Sequence, residues 1–486
     1  MGFYTVTNDM INFAFTEKQG LAYQTTGSYC LDYFSIIGGM RFNYQKSLNL
    51  FLKAYYENPI LAIKLLFYAR DIRQGLGERT IFRYTFNTLA NMYPEVCSQL
   101  IEYIPQYGRY DDLLVCINSP VKNKVIDFIK KQLNQDIANK QNNKPISLLS
   151  KWLPSINTSN KETRKLALVI SSSLGMTKES YRKTLSYLRK DLIIENNLRT
   201  RDYTFDYQKV PGNAFYKYKM CFMMNDTDRY HDYIFNVKTG KNKINTKTIY
   251  PYQVIRTLEN YNSTPEEKET LDVIWNSFDR SKIKSKTIVV RDGSGSMCDY
   301  QPVSANSVAT SLAILFAEQL QGEFKNKFIT FSENPRIIDI KGNTINEKYE
   351  FISRFDDYST TNIQAVYDLI LNVYKHKDFK KEDALDQIVI ISDMEFDEIP
   401  DYQKTSYSYF KEKFEQLGFN IPEVVFWNVR ARNAHFPVLN TELNVKMVSG
   451  ASQNIIDMIT NQTEESAYDL MLKTLEKYSC FDNIKL

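Results

Sequence analysis

The sequence has few of the residues that build disulfide frameworks, zinc sites or catalytic triads. Its six cysteines show no Cys-x-x-Cys spacing, and only three histidines occur in 486 residues. Neither a zinc site nor a disulfide framework is therefore expected, and the shortage of histidine argues against most hydrolytic chemistry. No apolar run approaches the length of a membrane-spanning helix, and the first residues lack the regions of a signal peptide. We expect a cytoplasmic protein without membrane contact.

The chain is long enough for two domains, and its two parts differ in charge. Residues 1–284 contain 40 Lys and Arg against 27 Asp and Glu, whereas residues 285–486 contain 21 against 30. A basic region of this kind is typical of a nucleic-acid binder. A solvated helical surface without a partner has the same composition and is the alternative.

Helical periodicity dominates the basic part. From Ser47 the apolar spacing is helical, and helices are predicted at 81–92, 96–104, 111–117 and 121–135, separated by Pro and Gly. Helix pairs with short connections favour an α-solenoid, in which each pair buries its face against its neighbours. A further helix at 178–192 has one apolar face and a cationic stripe beside it.

Cations between residues 151 and 219 are the candidates for contact with RNA, selected by charge and periodicity alone. Aromatic residues interleave with lysines from Tyr203 to Phe222. Rings beside cations are how proteins grip single strands, although packing in a core is the commoner explanation. The candidate RNA-binding residues are Lys151, Arg164, Lys165, Arg182, Lys183, Arg189, Lys190, Arg199, Arg201, Lys217 and Lys219.

The acidic part is organised around a predicted strand that ends in oxygen-bearing side chains. The β-branched run 287–290 is followed by a loop that contains Asp292, Ser294 and Ser296, separated by glycines. In an α/β sheet, ligands bind at this carboxyl end of a strand. One carboxylate and two hydroxyls are hard oxygen ligands of the kind that Mg²⁺ or Ca²⁺ prefers. A Gly/Ser turn without an ion is the alternative.

This loop resembles the metal-ion-dependent adhesion site of von Willebrand A domains, in which Asp-x-Ser-x-Ser is followed later by a Thr and an Asp. The resemblance identifies the two later ligands as Thr361 and as Asp393, which follows the predicted strand 387–392. Thr360 stands where the family usually has Gly. Strands and helices alternate beyond the loop, so we expect a parallel, doubly wound α/β sheet of the Rossmann-like type.

The resemblance implies a cofactor, Mg²⁺ or another divalent cation, with a coordination position left for an acidic side chain of a protein partner. Glu395 and Asp397 add negative charge nearby and are expected to be exposed loop acids. The last helix, predicted at 465–477, is expected to pack back on the helical part. The predicted metal ligands are Asp292, Ser294, Ser296, Thr361 and Asp393.

The basic part has a resemblance of its own. Segments 69–79, 107–114, 181–189 and 250–252 resemble the helical region of bacterial and phage proteins related to the TROVE-domain Ro ribonucleoproteins. In that family a ring of HEAT-like helical repeats is closed by a von Willebrand A domain, the same order as here. The resemblance implies a small non-coding RNA, structured or misfolded, as the partner.

Together the patterns predict a multidomain, non-catalytic RNA-binding scaffold. Its all-α HEAT-like ring or solenoid is expected to cover residues 1–284, and its von Willebrand A domain, a Mg²⁺-dependent adhesion module, residues 285–486. The alternative is a metal-dependent protein-interaction or assembly factor that works without RNA. A Mg²⁺-dependent nuclease is a third hypothesis, disfavoured because the hydroxyl-rich ligand set suits one ion rather than a bridged pair.

Overall fold

The computed structural model shows a helical half followed by an α/β half. It describes residues 12–190, 194–260, 262–280, 283, 286–298, 303–356, 361–397, 399, 404–460 and 465–486. The helices are α1 (Tyr29–Ile36), α2 (Tyr44–Glu57), α3 (Pro59–Arg70), α4 (Arg79–Met92), α5 (Pro94–Leu100), α6 (Ile104–Tyr107), α7 (Lys122–Gln141), α8 (Leu149–Trp152), α9 (Lys161–Ser173), α10 (Lys178–Arg189), α11 (Ile194–Thr200), α12 (Gly212–Asn225), α13 (Thr227–Lys238), α14 (Pro251–Leu258), α15 (Pro265–Asn276), α16 (Ala305–Ala317), α17 (Ile345–Ile352), α18 (Ile363–Tyr374), α19 (Ser406–Gln416), α20 (Asn454–Ile459) and α21 (Ala467–Leu475). The strands are β1 (Phe13–Phe15), β2 (Leu21–Tyr23), β3 (Thr287–Asp292), β4 (Lys327–Phe331), β5 (Ile337–Asp339), β6 (Gln387–Ser392), β7 (Glu423–Asn428) and β8 (Val445–Ser449).

The helices of the first half begin where local sequence favours a start. The Asn58 side chain accepts a hydrogen bond from the Leu61 N–H at 3.0 Å, and Pro59 occupies the first position of α3. Asn and Pro suit these two positions because the first turn has free N–H groups and a fixed backbone angle. The predicted helices lie close to observed ones, except that the segment predicted at 111–117 is a 3₁₀ helix, Tyr110–Cys116.

A β-hairpin near the amino terminus is not predicted by the hydrophobic pattern. Its strands β1 and β2 pair antiparallel, with Phe13 opposite Tyr23. Residues 16–20 connect them and are called the hairpin tip below; Gln19 in this tip has a positive φ of 66°. Strands of three residues are too short to show a two-residue period, so the sequence has no signal for them.

The sheet of the second half is mixed rather than wholly parallel. Its strand order is β5-β4-β3-β6-β7-β8, and all neighbouring pairs are parallel except β4 with β5. The expectation of a parallel sheet is therefore wrong at this edge. Residues 332–336 between β4 and β5 form only a short connection, whereas a parallel crossover needs about a dozen residues or more.

The order of the strands creates a switch point between β3 and β6. The chain runs from β3 through β4 to β5 toward one edge, and then from β6 through β7 to β8 toward the other. Every residue of β3, β6 and β7 is buried, as expected where helices cover both faces. Ligands of open α/β sheets bind at such a point, beside the carboxyl ends of the two strands.

The two halves share an interface at both ends of the helical half. At its beginning, α1 packs on β8 and α21, the rings of Phe67 and Phe481 lie 4.4 Å apart, and the Tyr478 hydroxyl donates to Asp71 Oδ2 at 2.9 Å. At its end, α14 packs on α16. The prediction that the carboxyl-terminal helix packs back on the helical half is confirmed.

The boundary between residues 284 and 285 falls outside the described residues and stays a prediction. None of the described helices is both long and apolar enough to cross a membrane.

Candidate functional site

Four of the five predicted metal ligands meet at the switch point. The Ser294 N–H donates to Asp292 Oδ1 at 2.9 Å, and the hydroxyl oxygens of Ser294 and Ser296 lie 2.9 Å apart. Asp292 Oδ2 accepts from the Ser392 hydroxyl at 2.6 Å, and the Ser296 side chain is close enough to Asp393 to oppose the rise in the pKa of that carboxyl. These residues come together because β3 and β6 are neighbours with the same direction.

The two carboxylates of this site are buried close to each other. Asp292 is 0% exposed and Asp393 is 2% exposed. Burial, followed by the charge of Asp393, raises the pKa of Asp292 to about 6. Burial also raises the pKa of Asp393, although Arg432 opposes this change. Burial and mutual repulsion disfavour the ionised forms of both carboxyls, so an added cation would stabilise these charged forms.

The hydroxyl geometry fits a small divalent cation. Two oxygen ligands at right angles, each about 2.0–2.1 Å from Mg²⁺, are about 2.9 Å apart, and the Ser294 and Ser296 oxygens have this separation of 2.9 Å. All the donors are hard oxygens, as Mg²⁺ requires. No group of three or more His, Cys, Asp or Glu side chains that could hold a metal occurs among the described residues.

The fifth predicted ligand, Thr361, lies on the same rim immediately before α18. Its hydroxyl donates to the Glu395 carbonyl oxygen at 3.1 Å, and so contacts the loop 393–397 that follows β6. The same hydroxyl oxygen accepts a hydrogen bond from the Lys18 ammonium at 3.1 Å. Thr360, the position at which the sequence departs from the adhesion-site pattern, lies outside the described residues.

The hairpin tip is docked on the rim of this site. The Lys18 ammonium lies 3.6 Å from Asp397, and the Glu17 N–H donates to Glu395 Oε2 at 2.9 Å. The Glu17 carboxylate accepts from Arg432 at 2.6 Å. Local sequence has no signal for these contacts, because they join the first strands of the chain to loops of the second half.

Arg432 and Glu395 complete the rim. Arg432 Nη2 lies 2.9 Å from Asp393 Oδ2, so a protein cation already contacts one predicted ligand. The expectation that Glu395 is an exposed loop acid is wrong, since it is 3% exposed. Burial tends to raise its pKa, but contacts with His435, the Glu17 N–H and Asn433 outweigh burial and lower the pKa below its usual value.

The predicted RNA-binding residues differ in whether they already form an ion pair with a carboxylate of the protein. Lys165 and Lys183 are exposed and pair with Glu162 and Glu179 of their own helices, contacts that water screens strongly. Among the described part of the chain, several others contact no carboxylate within ion-pair distance. These are Lys151, Arg164, Arg182, Lys190, Arg199, Arg201 and Lys217.

The charged groups of Arg189 and Lys219 bind other groups of the helical half. The Arg189 guanidinium donates to the carbonyl oxygens of Ser150 and Leu153 and to the Ser155 hydroxyl at 2.5–2.6 Å. Lys219 is 8% exposed and lies 3.1 Å from Glu267. All three nitrogens of the Arg189 guanidinium and the ammonium of Lys219 have partners within the protein, so neither residue is part of the RNA surface that we propose.

The interleaved aromatic residues form mostly core. Tyr207, Phe215 and Phe222 are buried, and their rings pack on one another and on Tyr230, which supports the explanation by core packing. Beside this core, an open cavity of about 670 Å³ is lined by Lys190 and Lys209, by Asp202 and Asp206, and by Phe205 and polar residues of α11.

The fold and the site define a two-part protein, helical and then α/β, with an oxygen-lined site at the switch point of its sheet. The chain belongs to the family Domain of unknown function (DUF2828), which matches residues 16–106 and 121–287. A second family, Domain of unknown function (DUF7788), matches residues 286–479.

The chain is similar to a viral protein and weakly similar to a solved structure. It is 30% identical to Uncharacterized protein L728 of Acanthamoeba polyphaga mimivirus, over 96% of this chain and 88% of that protein. The crystal structure of the Deinococcus radiodurans RO (RSR) protein aligns over 93% of this chain and 100% of that chain, with 10% identity and a TM-score of 0.37. A score of this size does not establish a shared fold.

Proposed function

We propose that the protein is a non-catalytic, cytoplasmic RNA-binding scaffold of the Ro type. The helical half would be a ring of HEAT-like repeats that binds small structured or misfolded RNA, and the α/β half a von Willebrand A domain with an adhesion-type metal site. The observation that carries the proposal is the set of exposed cations between α8 and α12 without a carboxylate partner in the described structure, including Arg164, Arg182, Lys190 and Arg201.

These cations favour a polyanion because their charge is not neutralised within the protein. RNA that contacts such residues releases condensed counterions, and affinity then falls steeply with salt. The open cavity supplies a concave surface with Phe205 in its lining, and its two lysines, Lys190 and Lys209, are balanced by Asp202 and Asp206. Cations next to aromatic rings are the composition with which single strands are bound.

The metal site would offer a coordination position at the rim. Asp292, Ser294, Ser296, Thr361 and Asp393 would hold Mg²⁺ or another divalent cation, which supplies a coordination position for a carboxylate of a partner. The site offers a single set of hydroxyl and carboxylate ligands, whereas phosphodiester cleavage by metals commonly uses two bridged ions. This supports the proposal of a scaffold rather than a nuclease.

The experiment is a gel shift with structured and single-stranded RNA over a salt series. We expect binding at low salt and a steep linear fall of log affinity with log salt. The triple variant Arg164→Gln/Arg182→Gln/Lys190→Gln should weaken binding and flatten the salt slope. No binding at low salt would overturn the proposal, and incubation of the RNA with protein and Mg²⁺ tests whether the RNA stays intact.

A second candidate function, metal-dependent capture of an acidic protein segment, is favoured by the position of Glu17. Its carboxylate contacts Arg432 at 2.6 Å, and Arg432 contacts Asp393, so the rim already accepts an acidic side chain. A pull-down that is lost in Asp292→Ala but unchanged by nuclease treatment would favour this function over RNA binding.

A further inference from the structure

Three arginines converge on two carboxylates where α3, α4 and the 3₁₀ helix Tyr110–Cys116 meet. Arg83 lies 2.6 Å from Asp111 and 2.6 Å from Asp112. Arg70 Nε lies 2.8 Å from Asp112 Oδ2, and Arg109 Nε donates to Asp111 Oδ1 at 2.9 Å. The two carboxylates therefore fix three guanidinium groups in place but neutralise only two of their charges.

A fourth arginine, Arg79, stands beside this group without a partner. The Arg79 side chain is exposed, and no hydrogen bond or ion pair joins this side chain to any residue that the structure describes. Partial burial and then the charges of Arg109 and Arg83 lower the pKa of Arg79. Arg79 and Arg83 are four residues apart on α4 and therefore lie on the same face of the helix. Four guanidinium groups thus stand beside the two carboxylates of Asp111 and Asp112, so the cluster favours a bound anion.

The start of α4 adds to this positive potential. Arg79 is the first residue of α4, and the preceding residue, Glu78, does not cap the helix with its side chain. The Glu78 carboxylate binds Arg41 at 2.7 Å instead. The N–H groups of the first turn thus add the positive end of the helix dipole on the side where Arg79 lies.

The cluster adjoins a residue already predicted to contact RNA. The Arg109 guanidinium lies over the Trp152 ring, with 3.7 Å between its central carbon and the ring centroid, and the Lys151 ammonium lies 5.6 Å from the centroid of the same ring. Arg109 is thereby held by Asp111 on one side and by the ring on the other. Such immobilised guanidinium forks lose little entropy on binding an anion, and their planar geometry suits phosphate.

We propose that Arg79, Arg83 and Arg109 form a binding site for one backbone phosphate of the RNA, a site that the periodicity of the sequence does not select. The exposed side chain of Arg79 contacts the phosphate from one side, and the fixed guanidinium groups of Arg83 and Arg109 contact the phosphate from the other. This inference rests on the proposed RNA-binding function but not on the metal site. With this site, the proposed RNA surface includes the start of α4 in addition to the region between α8 and α12.

The test is fluorescence anisotropy of a labelled single-stranded oligonucleotide with the full chain and the variant Arg79→Gln. The Arg79 side chain has no partner among the residues that the structure describes, so the variant should fold normally. We expect about tenfold weaker binding at low salt, since a charge-assisted hydrogen bond is lost, and a salt slope reduced by about 1. The matched control is Arg354→Gln, which removes an exposed arginine of the α/β half and should leave both quantities unchanged.

Two other results would overturn the inference and can be told apart. If the wild-type chain binds RNA, and Arg79→Gln binds it with the same affinity and salt slope while Arg182→Gln is weakened, the arginine cluster is not an RNA site and the proposed function stands. If the wild-type chain does not bind RNA at low salt, the proposed function and the inference both fail.

Discussion

The ammonium of Lys18 donates a hydrogen bond to the hydroxyl oxygen of Thr361 at 3.1 Å. That hydroxyl uses its own hydrogen to bind the Glu395 carbonyl oxygen at 3.1 Å, so Lys18 occupies one of the two lone pairs with which this oxygen could bind a metal ion. Lys18 also lies 3.6 Å from Asp397. The hairpin tip therefore places a protein cation where the adhesion-site pattern predicts a metal ligand.

The variant Lys18→Met should bind Mn²⁺ or Mg²⁺ more tightly than the wild-type chain. Removing a competing positive charge at the rim is expected to contribute about 1 kcal/mol, or about fivefold in affinity. Isothermal titration calorimetry and the electron paramagnetic resonance signal of free Mn²⁺ measure the change. Lys377→Met, which removes an exposed lysine elsewhere in the α/β half, should show wild-type affinity; an equal gain in both variants would contradict the prediction.

Removal of divalent cations should lower the melting temperature of the wild-type chain. A cation at 100 times its dissociation constant stabilises the folded state by about 2.7 kcal/mol. In Asp292→Asn the response to Mg²⁺ should disappear. Without metal this variant should be at least as stable as the wild type, because the repulsion between two buried carboxylates is gone.

Differential scanning calorimetry with Mg²⁺ and with EDTA checks this expectation. Asp378→Asn, at an exposed position, serves as the control and should keep the full Mg²⁺ response. Undiminished stabilisation of Asp292→Asn by Mg²⁺ would show that the ion binds somewhere else.

Arg189→Leu should destabilise the helical half rather than simply weaken contacts with RNA. The substitution leaves the carbonyl oxygens of Ser150 and Leu153 without their donor, and unsatisfied buried acceptors cost about 1–3 kcal/mol each. We expect a free energy of unfolding lower by about 2 kcal/mol or more in urea titration. Arg182→Leu changes an exposed neighbour on the same helix and should unfold like the wild type, so similar losses in both would contradict a structural role for Arg189.

Phe481→Ala should weaken the interface between the two halves. Phe481 is 0% exposed, and its ring lies 4.4 Å from that of Phe67 and 5.0 Å from that of Tyr103. Loss of a buried Phe typically costs about 3–5 kcal/mol. Limited proteolysis should then cleave the helical half faster than in Leu486→Ala, which changes an exposed residue of the same segment; equal rates in the two variants would argue against the interface.

The strands and helices of the second half could be predicted because each has its own local signal. The β-branched runs at Thr287–Asp292 and Gln387–Ser392 are buried on both faces and read as continuous apolar segments. The apolar spacing from Ile363 to Tyr374 predicts a helix, and α18 has these bounds. The antiparallel strand β5 has three residues, too few for a period. Its direction follows from a short connection that only the sheet reveals.

The sequence by itself determined the order of a basic helical part and an acidic α/β part, and the oxygen-bearing loop at the end of β3. Residue type and spacing are local properties, so they can be read along the chain. Only the tertiary structure decided that Arg189 and Lys219 form contacts within the protein, and that Lys18 and Arg432 contact predicted metal ligands. It also decided that the Arg79 side chain lies beside fixed arginines with no partner among the described residues. Those facts depend on which distant side chains meet. Whether a charged side chain can bind a ligand depends more on its burial and its partners than on its residue type.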